Sequence, residues 1–188
     1  MLYYTDLKPG TVFKRDGQPW QVLDFSFMKK QMAKGVVQVK IKNLISGKIV
    51  DMSVRQNEDF EEAEIEIIPV LFIYASRNEY WFHELGNPKN RFALKEDVVG
   101  ESKNFLKPNL EIKVSKFEDK IISVQVPIKM ELKVTEAAPA VKGNTSQGAV
   151  KSVTLETGFK INVPLFIQEG DIVRINTETG EYTERVSG

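Results

Sequence analysis

An all-β fold is expected for this chain, and three features of the sequence predict it. Apolar residues recur with a period of two, turn signals are dense, and no long amphipathic helical stripe appears. The turn signals are Asp16-Gly17, Arg77-Asn78, Glu118-Asp119, Thr157-Gly158, Glu169-Gly170 and Thr179-Gly180, and they cut the chain into many short strands. In chain order, residues 22–27 read as a strand. Residues 36–45 read as its return, with Val37, Val39 and Ile41 alternating with Gln38, Lys40 and Lys42. Residues 80–84 form an aromatic strand, and the best helical segments are short, around 95–99 and 102–106. Leu110, Ile112 and Val114 alternate with Glu111 and Lys113. Leu132 and Val134 flank Lys133, and Ile161 and Val163 flank Asn162. Each of these is a half-buried strand with one face to water.

The chain has 188 residues, of which 41% are apolar and 28% charged. That is a soluble globular composition, long enough for three blocks with small cores. The blocks are expected at 1–64, 65–127 and 128–188, each the size of a small β-barrel. The longest uncharged apolar run, 67–75, is too short to cross a bilayer, so no membrane partner is expected. Asp6 and Lys8 precede any apolar stretch, so a secretory signal is not expected. Cysteine is absent, which excludes disulfides, thiolate metal sites and cysteine nucleophiles. One histidine, His83, cannot build a multi-histidine site, and in its aromatic strand it reads as a packed or surface residue. A cytoplasmic protein without metal or cofactor is expected.

The formal net charge is zero, but the charges are segregated. No acid stands between Asp24 and Asp51, where Lys29, Lys30, Lys34, Lys40, Lys42 and Lys48 all occur. The acids Glu58, Asp59, Glu61, Glu62, Glu64 and Glu66 follow. These alternate with Ala63, Ile65 and Ile67 and read as a solvated strand edge rather than a divalent-metal site. Between the strands at 22–27 and 36–45 lies Met28-Lys29-Lys30-Gln31-Met32-Ala33-Lys34-Gly35. A narrow β finger flanked by lysines suits phosphate contacts in an RNA crevice; the bland alternative is an ordinary solvated hairpin with Met32 folded back over it. Tyr80 and Trp81 face opposite sides of their strand, so one is expected in the core and the other is a candidate for base stacking. Gly47-Lys48 lacks the spacing and hydroxyl of a phosphate-binding loop. No set of acid, base and nucleophile can be assembled, so an enzyme is disfavoured.

A longer pattern lies near the C-terminus: Lys151-Ser-Val-Thr-Leu-Glu-Thr-Gly158-Phe-Lys-Ile161-Asn-Val163-Pro164-Leu-Phe-Ile167-Gln-Glu-Gly170, followed by Gly180-Glu181-Tyr182-Thr-Glu-Arg185. Its lysine, glycines, aliphatics and Val-Pro resemble the signature of the bacterial elongation factor P family. Asp16-Gly17-Gln18-Pro19-Trp20 and Val39-Lys40-Ile41-Lys42-Asn43-Leu44-Ile45-Ser46-Gly47 resemble the family's first domain, so the similarity runs over essentially the whole chain.

The resemblance implies an SH3-like (KOW-type) barrel followed by two OB-fold barrels in an elongated, L-shaped, tRNA-like arrangement. It implies a monomeric elongation factor that binds both ribosomal subunits between the P and E sites, beside peptidyl-tRNA. There it promotes peptide bond formation at consecutive prolines by holding the tRNA's CCA end, without chemistry of its own. On this reading Lys30, Gln31, Met32, Ala33 and Lys34 form the loop tip toward the CCA end. Lys29, Lys40 and Lys42 contact RNA phosphates, and Gly143-Asn144-Thr145 faces the E-site mRNA codon. Gly158, Val163, Pro164, Gly170, Tyr182 and Arg185 are the C-terminal family residues.

The tip departs from the family's Pro-Gly-Lys-Gly. A gapless alignment puts Lys30, Gln31, Met32 and Ala33 on those positions, which makes the tip methionine and predicts that it is unmodified. A second alignment, with two residues deleted in the returning strand, puts Lys34-Gly35 there instead and keeps the strand's in/out alternation. Asn144 replaces the family's aspartate and can donate as well as accept hydrogen bonds. Two other readings stay open: a divergent paralogue with a narrower range of stalls, and a general single-strand RNA-binding OB protein.

Overall fold

The structure is a computed structural model that describes residues 1–28, 36–137 and 150–186. It is all-β, with three sheets. The first contains β1 (Leu2–Tyr3), β2 (Val12–Arg15), β3 (Gln18–Met28), β4 (Val36–Asn43), β5 (Ile49–Arg55) and β6 (Asp59–Glu62), in the order β1-β6-β2-β3-β4-β5. The second contains β7 (Glu66–Ser76), β8 (Glu79–Glu84), β9 (Asn87–Lys95), β10 (Glu111–Phe117) and β11 (Lys120–Gln125), in the order β11-β10-β7-β8-β9. The third contains β12 (Lys129–Ala137), β13 (Val150–Leu155), β14 (Lys160–Pro164), β15 (Ile172–Asn176) and β16 (Glu181–Val186), in the order β14-β13-β12-β15-β16.

Local chemistry explains the connections. The two-residue turns Asp16-Gly17, Arg77-Asn78 and Glu118-Asp119 all have positive φ at both positions, between 45° and 70°. That is the mirror-image turn whose twist matches an antiparallel pair, so each closes a tight hairpin: β2–β3, β7–β8 and β10–β11. The helical segments fall where the sequence placed them. A single α-turn, α1 (Glu96–Val99), leads into a 3-10 segment over Gly100–Phe105. Among the described residues, no helix is long and apolar enough to cross a membrane.

The chain divides into two compact units, Met1–Ile68 with Val114–Ser123 and Pro69–Lys113 with Val124–Gly188. In the first, alternate residues of β3 and β4 point inward, and Val22, Val37, Val39 and Ile41 join Leu7, Phe13, Trp20 and Val54 in one core. A smaller cluster joins Ala63, Phe117 and Ile122. In the second, Met130, Leu132 and Val134 of β12 pack with Val153, Leu155, Ile161, Val163, Val173 and Ile175, and Phe105 closes that core edge-on against Phe159 at 5.3 Å. Burial of such apolar side chains is the main favourable term holding each unit together.

Within the acidic stretch, Asp59 and Phe60 pair only with β1, and Glu61 and Glu62 only with β2, so each residue keeps one unpaired side. Asp59–Glu62 forms β6, which pairs with β1 on one side and β2 on the other, and Glu66 opens β7 in the interior of its sheet. Asp59, Glu61, Glu62, Glu64 and Glu66 are exposed and Glu58 is half-buried, as solvated carboxylates require.

Candidate nucleic-acid interface

The basic finger begins as the β3–β4 hairpin. Its two strands run in antiparallel register from Trp20↔Asn43 to Met28↔Val36. The eight residues of β4, at about 3.3 Å each, carry the chain well away from the base of the hairpin. Met28 and Val36 are thus joined by residues 29–35. Lys29, Lys30, Gln31, Met32, Ala33 and Lys34 lie outside the described residues. So do Gly143, Asn144 and Thr145.

Lys40 and Lys42 are described, and both are exposed on the outer face of β4. Their surroundings differ. Lys40 stands opposite Asp24 on β3 and Asp51 on β5, so it is flanked by a carboxylate on each side. Lys42 stands opposite Gln21 and Ile49, with no acid in its row. Cross-strand neighbours of opposite sign attract each other, so the positive potential at Lys40 is tempered and that at Lys42 is not. Further out along the same face, Gln38 donates to the Ser53 hydroxyl at 2.6 Å and ties β4 to β5.

The base of the hairpin is pinned by Asn43, which is only 1% exposed. Its amide nitrogen donates to Gln18 Oε1 at 2.6 Å, and its oxygen accepts from the backbone N–H groups of Ile45 and Ser46 at 2.9 and 2.8 Å. One side chain therefore fixes both the β4–β5 turn and the start of β3. Asn43 stood in the resembling segment, but nothing in the sequence distinguished it as the pin.

Two other lysines of the first unit, Lys14 and Lys116, are already engaged. Lys14 Nζ lies 2.6 Å from both Glu61 and Glu118. Hydrogen bonding to Glu118, then to Glu61, raises its pKa above the ordinary lysine value. Lys116 contacts Asp119 at 3.2 Å and Glu66 at 3.5 Å, and its pKa is raised chiefly by the bond to Asp119. These two ammonium groups are neutralised within the protein, whereas Lys42 is exposed with no acid opposite it on either neighbouring strand.

The C-terminal family residues form a scaffold in the second unit. Gly158 takes φ +84° in the tight turn between β13 and β14, where its N–H bonds to the Leu155 carbonyl at 2.8 Å. Val163 is fully buried, and Pro164 ends β14. Gly170, at φ +91°, donates to the Val134 carbonyl at 2.9 Å and draws the chain back to β12. The Asp171 carboxylate accepts the Gln168 N–H at 2.8 Å and meets the Arg185 guanidinium at 3.1 Å. Tyr182 packs against the core. These residues shape the barrel; the sequence pattern is a record of turns and packing.

In the second sheet, Tyr80 and Trp81 take opposite faces, as the period of two requires. Tyr80 lies near Phe72 on the core side, and Trp81 stacks on Tyr74 on the other side. His83 is half-buried, with Nδ1 2.9 Å from the carbonyl oxygen of Glu84. Among the described residues, no cluster of three or more carboxylate or imidazole groups is arranged to hold a metal ion.

Comparison with known proteins places these features. Residues 4–60 match the family described as the elongation factor P (EF-P) KOW-like domain, and residues 130–185 match elongation factor P, C-terminal. The chain is 36% identical to elongation factor P of Finegoldia magna over 186 residues, covering 99% of this chain and 100% of that one. It is 37% identical to elongation factor P 2 of Geobacter sulfurreducens over 188 residues, covering 100% of both. Elongation factor P of Pseudothermotoga lettingae is 37% identical over 185 residues, covering 98% of this chain and 100% of that one. Among solved structures, a translation initiation factor eif-5a family protein from Naegleria fowleri superposes with a TM-score of 0.52 at 12% identity, over 66% of this chain and 96% of that one, which is a likeness of fold.

Proposed function

The chain belongs to the elongation factor P family of translation factors, and from that membership we propose that it binds the ribosome between the P and E sites and promotes peptide bond formation at polyproline stalls. The observation that carries this reading is the match over the full length of both chains, with the basic segment 29–35 joining the two strands of the β3–β4 hairpin. Proline is a constrained secondary amine and a slow acceptor in the peptidyl transfer step. A factor that holds the CCA end of peptidyl-tRNA removes orientational freedom before attack, so it accelerates the step by positioning, and no acid or base of its own is required.

On this proposal the tip is formed by Lys30, Gln31, Met32, Ala33 and Lys34, with Met32 reaching furthest and carrying no modification. Lys29, Lys40 and Lys42 contact RNA phosphates, and Lys42 is the better placed of the two described lysines. Gly143-Asn144-Thr145 faces the E-site codon. Segments 1–64, 65–127 and 128–188 serve as the three domains of a cytoplasmic monomer that is not an enzyme and meets both ribosomal subunits and P-site peptidyl-tRNA.

The test is translation of a polyproline reporter on matched ribosomes, with and without the protein. Relief of the arrest is expected. An arrest that persists with correctly folded protein overturns the proposal. Met32→Ala and Lys34→Ala then separate the two tip alignments, because only the residue at the tip loses relief on truncation.

A further inference from the structure

The second sheet carries aromatic rings on both faces. Phe72, Phe82 and Phe92 line the inner side, with ring centroids 5.4 Å apart for the first pair and 5.8 Å for the second. That is ordinary core packing. The outer side is different. An irregularity in register between Phe72 and Tyr74 rotates Tyr74 outward, directly opposite Trp81. The two rings stack at 6.1 Å and 16°. Tyr74 is 46% exposed, so a broad aromatic surface faces water.

Polar and charged side chains border this surface. The next row along β8 and β9 holds His83 opposite Arg91, and the row on the other side holds Glu79 opposite Lys95. Trp81 stands opposite the small Ala93 and is half-buried, so part of its indole is accessible. Arg91 is exposed, and its Nε donates to the Pro88 carbonyl at 3.3 Å, which leaves its terminal amino groups for a ligand. β9 is the outermost strand of its sheet, so an extended ligand can lie alongside it.

We propose that Tyr74 and Trp81, with Arg91 beside them, form a second RNA-binding surface that takes unpaired bases of single-stranded RNA. Near-parallel rings extend naturally into a stack with a base, which has a π-face whatever its identity, while the Arg91 guanidinium meets a phosphate. The residues of this surface belong to neither the hairpin strands nor the segment 138–149. The choice of RNA as occupant rests on the reading of the chain as a ribosome-binding factor; the geometry of the surface does not.

The test uses the full chain and a single-stranded RNA octamer containing 4-thiouridine. Photocrosslinks are mapped by mass spectrometry, and affinity is measured by fluorescence anisotropy for the wild type, Tyr74→Ala and Arg91→Glu. Both residues are exposed, so both variants fold, which the unfolding midpoint verifies. Crosslinks at Tyr74 or Trp81 are expected, with roughly tenfold weaker binding for Tyr74→Ala. Arg91→Glu is expected to bind more weakly and to show a shallower dependence on salt. Unchanged affinity in both variants, no measurable binding, or crosslinks confined to residues 29–35 each overturn this surface. The polyproline assay is independent: failure there with crosslinks at Trp81 defeats the ribosomal role and leaves the surface standing.

Discussion

The Arg185 guanidinium meets the Asp171 carboxylate at 3.1 Å, joining the last strand to the turn that precedes β15. The two partners are unequal. Asp171 is 13% exposed on its side chain and also accepts the backbone N–H of Gln168, whereas Arg185 is 52% exposed. Removing the carboxylate takes a charged acceptor from the Gln168 N–H as well as the ion pair, and removing the guanidinium breaks only a largely solvated pair. Asp171→Ala is therefore expected to destabilise the second unit by about 1–3 kcal/mol. Arg185→Ala is expected to cost only about 0.2–1 kcal/mol. Denaturant unfolding of the two variants checks this, and equal losses would contradict the assignment.

Gly158→Ala isolates backbone strain. An added Cβ would meet no atom within 4 Å, so the cost of the substitution is that of φ +84° alone. Left-handed backbone costs an L-residue about 1–2 kcal/mol, and asparagine tolerates it better than alanine. Gly158→Asn should thus recover part of the stability that Gly158→Ala loses, read as a shift in unfolding midpoint. An alanine variant as stable as the wild type would show that the turn relaxes.

Asn43→Ala is expected to destabilise the first unit by about 1–3 kcal/mol, since a buried side chain with three hydrogen bonds is lost and their partners are left unpaired. Asn43→Asp keeps the acceptor for Ile45 and Ser46 but places a charge at a site that is 1% exposed, and it should be no better. Thermal unfolding and polyproline relief, measured together, should fall in parallel, because the hairpin stands on this residue.

Lys14 gives a pH signature. Its pKa is raised above 10.5 in the folded chain, chiefly by the hydrogen bond to Glu118 and then by that to Glu61. A group whose pKa rises on folding contributes stability that is complete below its unfolded value and is lost as pH climbs through the folded value. Lys14→Met should accordingly be less stable than the wild type at neutral pH, and the gap should close as pH rises above 10.5. A gap that stays constant through that window would show that the lysine acts by packing alone.

These residues mark how far the sequence could be read. The strands and hairpin turns were legible because they rest on local rules: alternation along β4, and positive φ at Asp16-Gly17 and Arg77-Asn78. The family was legible because Gly158, Val163, Pro164 and Gly170 are fixed by turns and packing. The pairing of Lys14 with Glu61, 47 residues away, has no local signal. Nor does the stacking of Tyr74 on Trp81, which depends on a register irregularity that alternation alone does not predict. Lys40 and Lys42 looked equivalent in sequence because their cross-strand neighbours, Asp24, Asp51, Gln21 and Ile49, become neighbours only when the sheet forms.

That difference between Lys40 and Lys42 supplies a charge-reversal test of the RNA contact. Lys40→Glu would set three carboxylates in one row with Asp24 and Asp51, and like charges directly opposite destabilise a sheet by up to about 1 kcal/mol each. A loss of polyproline relief in that variant would mix weakened folding with weakened binding. Lys42→Glu faces Gln21 and Ile49 and should leave the unfolding midpoint nearly unchanged. If Lys42 meets a phosphate, its reversal lowers ribosome affinity more at low salt than at high salt, since the lost attraction is screened as ionic strength rises. Sedimentation of the factor with ribosomes across a salt series reads this directly. A Lys42→Glu variant that co-sediments like the wild type at every salt concentration would remove Lys42 from the interface and return the whole of the contact to the segment between Met28 and Val36.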